Sequence, residues 1–156
     1  MKFKYLVLSL LLLILSCSAA IAAESLTFDD YSFNLPDGFS FVNQSEHVMT
    51  LTDNGGQSIV LANPDDDKSP DEFKKEMESK GCELGEEYNY TVRDYKIEQY
   101  NFKNGNNQGF LYVCHTGLEA DDIIYITYLM PKDDYDAAGE TNPVNAILDS
   151  LSKVDD

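Results

Sequence analysis

Tyr95-Lys96-Ile97-Glu98-Gln99-Tyr100-Asn101-Phe102-Lys103-Asn104-Gly105-Asn106-Asn107-Gln108-Gly109-Phe110-Leu111-Tyr112-Val113-Cys114-His115 is the most informative stretch of this chain. Two alternating apolar runs flank Asn104-Gly105, the strongest short-range hairpin signal a sequence can carry. Read as a two-residue turn, it pairs Lys103 with Asn106, Gln99 with Phe110, Ile97 with Tyr112 and Tyr95 with Cys114, all on one face. Leu111, Val113 and His115 point the other way. Both faces are therefore apolar, and both need a cover.

Outward from this hairpin, Tyr88 to Val92 and Ile123 to Met130 read as further strands. Towards the N-terminus, Leu26 and Phe28, then Tyr31, Phe33 and Leu35, alternate with polar neighbours around an Asp29-Asp30 turn, and Pro36-Asp37-Gly38 breaks the chain. Phe39 to Val42 forms a short strand, and Val48 to Thr52 and Ser58 to Ala62 form a hairpin about Asn54-Gly55-Gly56. Ser69, Pro70 and Glu72 make a capping box that opens a helix running to about Lys80, with Gly81 as its stop and Phe73 and Met77 on one face. Asn142 and Pro143 open a last helix to about Ser152, whose Val144, Ile147, Leu148 and Leu151 form an apolar stripe suited to packing on the sheet. The order predicts an α+β domain: an antiparallel β-sheet with two helices packed on it, hairpins before and after the middle helix, and a C-terminal helix.

Tyr31-Ser32-Phe33-Asn34-Leu35-Pro36-Asp37-Gly38-Phe39, a middle helix after a hairpin, and a closing Ala146-Ile147-Leu148-Asp149-Ser150-Leu151 helix resemble small exported α+β domains of the PsbP/Mog1-like superfamily. The resemblance covers Leu26 to Leu151 and lies in element order. It implies a role in binding partners or assisting assemblies, and it carries no catalytic set onto residues of this chain.

The first 23 residues read as a signal peptide. Lys2 and Lys4 precede an apolar run from Tyr5 to Leu15, and small residues follow to Ala23. That run is too short for a spanning helix, which needs about 20 apolar residues. Residues 24–156 then form one domain, ordered over about 26–152. Cleavage near Ala23 would release it, whereas Ile14-Leu15-Ser16-Cys17 offers Cys17 as a lipid-attachment site, and an uncleaved anchor is the third alternative. Either way the chain is expected outside the cytoplasmic membrane, secreted or at the cell surface. Its contact with a membrane is expected only through a lipid or an uncleaved anchor.

The formal charge is −17, from 28 Asp and Glu against 11 Lys and Arg. Losing the leader removes only bases, which excludes nucleic acid as a partner, since phosphate backbones are held by clustered Lys and Arg. Of three cysteines, Cys17 leaves with the leader or carries lipid, and Cys82 and Cys114 remain as an even pair in an exported chain. A disulfide between them is expected, against two buried thiols in a reducing setting. It would place the first helix over the Ile97 and Tyr112 face.

No catalytic residue is assigned and no cofactor is expected. His47 and His115 lack triad or metal-ligand spacing, and the alternation of a strand separates His115 from Cys114. Asn63, Asp65 and Asp67 alternate like the start of a calcium loop, but Lys68 and Lys74 stand where an EF-hand needs Gly and Glu, so only weak calcium binding fits. Asp133, Asp134 and Asp136 form a second acid cluster. Asn43 and Asn89 head glycosylation sequons. Tyr88, Tyr90, Tyr95 and Tyr100 offer a contact surface for an envelope or extracellular protein or glycan, against the plainer account that they pack the sheet. The function expected is a non-enzymatic binding or accessory module of the cell envelope or exterior. The rival readings are a lipid-anchored surface protein with weak calcium binding and a small carboxylate-dependent glycan hydrolase, which would need two carboxyls facing each other across a cleft.

Overall fold

The computed structural model describes residues 23–64, 68–117, 122–131 and 142–154. At its centre strands β8 (Asn107–His115) and β9 (Ile123–Pro131) pair antiparallel from Asn107↔Pro131 to His115↔Ile123. Alternation sends Tyr112, Cys114, Ile124 and Ile126 into one core and Leu111, Val113, Ile123 and Tyr125 into another. Seven strands lie side by side, in the order β3 (Ser40–Gln44), β4 (Val48–Thr52), β5 (Ser58–Ala62), β9, β8, β7 (Tyr95–Asn104) and β6 (Glu83–Val92), every neighbouring pair antiparallel. Helix α1 (Pro70–Ser79) joins β5 to β6 at the far edge, and the chain then winds back strand by strand until β9 lies against β5.

The two faces are covered differently. On one, β1 (Ser25–Phe28), β2 (Tyr31–Asn34) and β10 (Ser152–Lys153) form a three-stranded antiparallel sheet that shares its core with helix α2 (Val144–Ser150). Phe28, Phe33, Val144, Ile147, Leu148 and Leu151 are buried there against Ile97, Tyr112 and Cys114. The predicted stripe of the last helix does pack on the sheet. On the other face α1 lays Met77 and Phe73 over Tyr100, Leu111, Val113 and Tyr125. The Phe73 and Tyr125 rings stack at 4.0 Å and 6°, and the Tyr125 hydroxyl donates to the Lys68 carbonyl at 2.6 Å. The expected capping box is formed, with Ser69 N–H donating to Glu72 Oε2 at 3.0 Å and Glu72 N–H to Ser69 Oγ at 3.4 Å.

The hairpin register differs from the sequence reading by two residues. Asn104 pairs with Asn107 and Ile97 with Cys114, so the turn residues are Gly105 and Asn106. Gly105 has φ 60°, while among the described non-glycine residues only Asp29 and Arg93 have positive φ. A turn with its positive φ at the first central position takes Gly there, whereas an Asn-Gly turn needs Asn in the left-handed region as well. Because the shift is even, the facing of every side chain survives it. Strand β6 begins five residues before the predicted Tyr88, with a bulge between Leu84 and Glu87, and the helix expected to reach Ser152 ends at Ser150 so that Ser152 and Lys153 can pair with β2.

The disulfide does not form. Cys114 is fully buried in the core under α2, whereas Cys82 packs on the core under α1, so the seven-stranded sheet lies between the two thiols. Helix α1 accordingly covers the face opposite the one the bridge required. Alkylation of the native protein should modify Cys82 and spare Cys114, with both reacting in denaturant; peptide mapping by mass spectrometry reads this, and native protection of Cys82 equal to that of Cys114 would count against it.

Two further outcomes follow from local packing. A Cβ on Gly109 would lie 2.0 Å from the Tyr128 carbonyl oxygen and 2.8 Å from the Phe102 ring, so Gly109→Ala should destabilise by roughly 1–3 kcal/mol, read as a lower urea midpoint. On α1, Lys68 and Lys80 both donate to Glu76, and these bonds hold its carboxyl down at about 2 from an ordinary 4.5. A folded-state pKa below the unfolded one contributes stability above pH 4.5 that is lost as pH falls towards about 2. Glu76→Gln should therefore lower the urea midpoint at neutral pH and flatten its fall through that window, the two proteins converging in acid.

Candidate functional site

Two places concentrate polar or unpaired chemistry. The first is a side-chain chain across β7, β8 and α1. His115 Nε2 donates to Glu98 Oε1 at 2.9 Å, Tyr100 OH to Glu98 Oε2 at 3.2 Å, and Lys74 Nζ to the Tyr100 oxygen at 3.3 Å and to Asp71 at 3.0 Å. Antiparallel pairing builds it, since Glu98 and Tyr100 are two residues apart on one face and His115 lies beside Lys96 on the next strand. Burial pushes the Tyr100 hydroxyl up to about 12, with nearby Glu87 and Glu98 adding to the rise. Burial alone would lower Lys74, but its bonds to Asp71 and Tyr100 outweigh that and raise it. Both groups stay protonated at neutral pH. The arrangement is thus an Asp–Lys–Tyr–Glu–His ladder that ties α1 to the sheet, with its Lys74 and Tyr100 members protonated. Burial likewise pushes the Cys114 thiol up, which leaves it neutral and unreactive.

The second is the β3 edge. All five of its residues are exposed, including Phe41 at 48% and Val42 at 52%, and Val48 at the start of β4 is 38% exposed. Three of the five large hydrophobic residues so exposed among the described residues therefore lie on this one hairpin. A bulge between Phe41 and Asn43 leaves Val42 as the extra residue. Among the described residues β3 pairs only with β4, and none of them hydrogen-bonds the backbone of its other side. The opposite edge, β6, carries Glu83, Glu86 and Glu87, the kind of charged edge that discourages added strands. β3 carries no charge and no proline. The sequence around it is acidic: no Lys or Arg occurs between Lys4 and Lys68, whereas Glu24, Asp29, Asp30, Asp37, Glu46 and Asp53 do.

The tyrosine surface is largely not a surface. Tyr100 is 5% exposed and sits under α1, and Tyr90 and Tyr95 are partly buried against the core under α2. Tyr90 OH donates to Gln99 at 2.9 Å, and burial pushes its hydroxyl up to about 12. Only Tyr88, at 47%, is open. The plainer reading of these residues, that they pack the sheet, holds for three of the four. Asn43 and Asn89 are both exposed, on β3 and β6. Asn63 lies at the end of β5 and its amide donates to Asp29, while Asp65 and Asp67 lie outside the described residues, as do Asp133, Asp134, Asp136, Cys17 and the leader before Ala23. No group of three or more potential metal ligands occurs among the described residues, and no helix among them is long and apolar enough to cross a membrane.

Two open hollows contain paired carboxylates. Glu83 and Glu86 line one of about 360 Å³ at the β6 bulge, and Asp37 and Asp149 line one of about 520 Å³ between the end of β2 and α2. All four residues are exposed. A glycosidase acid needs an apolar wall to hold its proton near neutrality.

No family model matches the chain, and no curated protein matches it. Among solved structures it is similar to the solution structure of cyanobacterial PsbP (CyanoP) from Synechocystis sp. PCC 6803, over 87% of this chain and 95% of that one, at 16% identity and a TM-score of 0.55. At that identity the likeness reaches the fold alone: the chain has a PsbP-like α+β fold.

Proposed function

We propose that this chain is an exported accessory module that acts by holding another protein against the β3 edge, without chemistry of its own. The observation that carries the reading is the exposed pair Phe41 and Val42 on an uncharged edge strand whose outer backbone no described residue bonds. Soluble domains blunt such an edge with charge, proline, short length or a bulge; β3 has only the last two, and its bulge leaves two adjacent apolar side chains exposed, which marks an interaction site. The polar ladder at His115 is consistent with the same reading, since its tyrosine and lysine are held protonated and tie α1 to the sheet. Export rests on the leader pattern of residues 1–23. Release near Ala23 or acylation at Cys17 would decide whether the module diffuses or stays at a membrane surface.

A photoreactive side chain placed at Val42 in the native host should yield a discrete covalent adduct with another protein. The same group at exposed Asp94, in the β6–β7 turn, should yield none. Equal labelling from both positions, or no adduct at Val42, would overturn the reading.

A further inference from the structure

We infer that the occupant of the β3 edge is an extended, cationic segment of another protein, added as an eighth strand to the seven-stranded sheet. The inference rests on the accessory reading above and names the partner's chemistry. Strand addition satisfies the backbone groups of an edge by main-chain hydrogen bonds, and alternate side chains of the incoming strand meet pockets or patches on the host. β3 supplies both parts: an open edge of five residues and, at its bulge, the adjacent apolar side chains Phe41 and Val42.

Charge selects among occupants. Asp37 precedes β3 and Glu46 follows it, Asp53 lies in the next turn, and no Lys or Arg stands within the chain from residue 5 to residue 67. The one group there that can take positive charge is His47, whose ring lies 3.8 Å from Glu46. The bases of the described residues are Lys68, Lys74 and Lys75 of α1, Lys80 at its end, Arg93 in the β6–β7 turn, Lys96 and Lys103 of β7, and Lys153 of β10, while Lys132 lies outside the described residues. A second copy pairing β3 with β3 antiparallel would set Asp37 of one molecule beside residues 46 and 47 of the other, between bodies that are each strongly acidic. Like charge disfavours that pairing, whereas a strand that alternates apolar residues with Lys or Arg gains an attractive field together with the hydrophobic contact.

The test uses the full chain with isotopically labelled amides and two synthetic probes, an alternating Val/Lys peptide and an alternating Val/Glu peptide. The Val/Lys peptide should bind and shift the amides of Ser40 to Gln44 while leaving those of β6 unmoved. Its affinity should fall several-fold between about 0.05 and 0.5 M salt. Replacing both Phe41→Ser and Val42→Ser should weaken it about tenfold, and since both side chains are already exposed, the rest of the amide spectrum serves to show that the fold is kept. Asp37→Asn with Glu46→Gln should flatten the salt dependence and leave the shifted amides the same. Equal binding of both peptides at β3 would overturn the cationic occupant. Shifts scattered over acidic side chains away from β3, or no binding of the Val/Lys peptide, would overturn strand addition by a cationic segment. Concentration-dependent changes at Ser40 to Gln44 without any peptide would overturn it in favour of a second copy. A Val42 photoadduct in the host together with any of these failures would leave the accessory reading standing and remove only its partner class.

Discussion

The structure depends on burial of both faces of β8 and β9. Strands whose alternate residues are Leu111, Val113 and Tyr125 one way and Tyr112, Cys114, Ile124 and Ile126 the other cannot leave either side to water. Burying a large apolar side chain is worth about 1.5–3 kcal/mol, so each face demands its own cover. Helix α1 meets one demand with Phe73 and Met77. The small sheet and α2 meet the other with more bulk, because Phe28, Tyr31, Phe33 and the whole α2 stripe converge there. The covers are unequal in reach as well. β3, at the end of the sheet, is left with all of its residues exposed.

What could be read from the residues follows that division. Alternation fixed which side chains face together, and it stayed correct when the hairpin register moved by two, since Ile97, Tyr112 and Cys114 still share a face. Asn-Gly alone does not decide the turn, because Gly105 can be its second central residue, with Asn104 left-handed as well, or its first, which moves the register by two. β10 was not readable: two polar residues, Ser152 and Lys153, acquire strand structure only because β2 offers them an edge. Nor was the early start of β6, where a bulge interrupts the alternation at Gly85 and Glu86.

The site was less legible than the fold. Counting cysteines suggests a pair, but a count holds no information about which core each one enters, and here the sheet separates them. Tyrosine content suggested a surface, yet a tyrosine can bury its ring and keep its hydroxyl bonded, as Tyr90 does with Gln99 and Tyr100 with Glu98. The β3 edge did carry a signal. Ser40-Phe41-Val42-Asn43-Gln44 is a strand without charge or proline, in a stretch of more than 60 residues without a base, and what hid its meaning was that edge position depends on the sheet order, which only the long return of the chain through α1 decides.

The small sheet has a mechanical consequence. β1 and β10 both pair with β2, so they run in the same direction, with Ser25 beside Asn34 at one end and Lys153 beside Tyr31 at the other. A pull applied at Ser25 and at Lys153 would therefore slide β1 and β10 past β2 in opposite senses. The hydrogen bonds of the three strands would share that load at once instead of opening one after another. A domain tethered through these two strands would resist stretching at its small sheet, while the seven-stranded sheet, with its open edge, stayed outside the line of force.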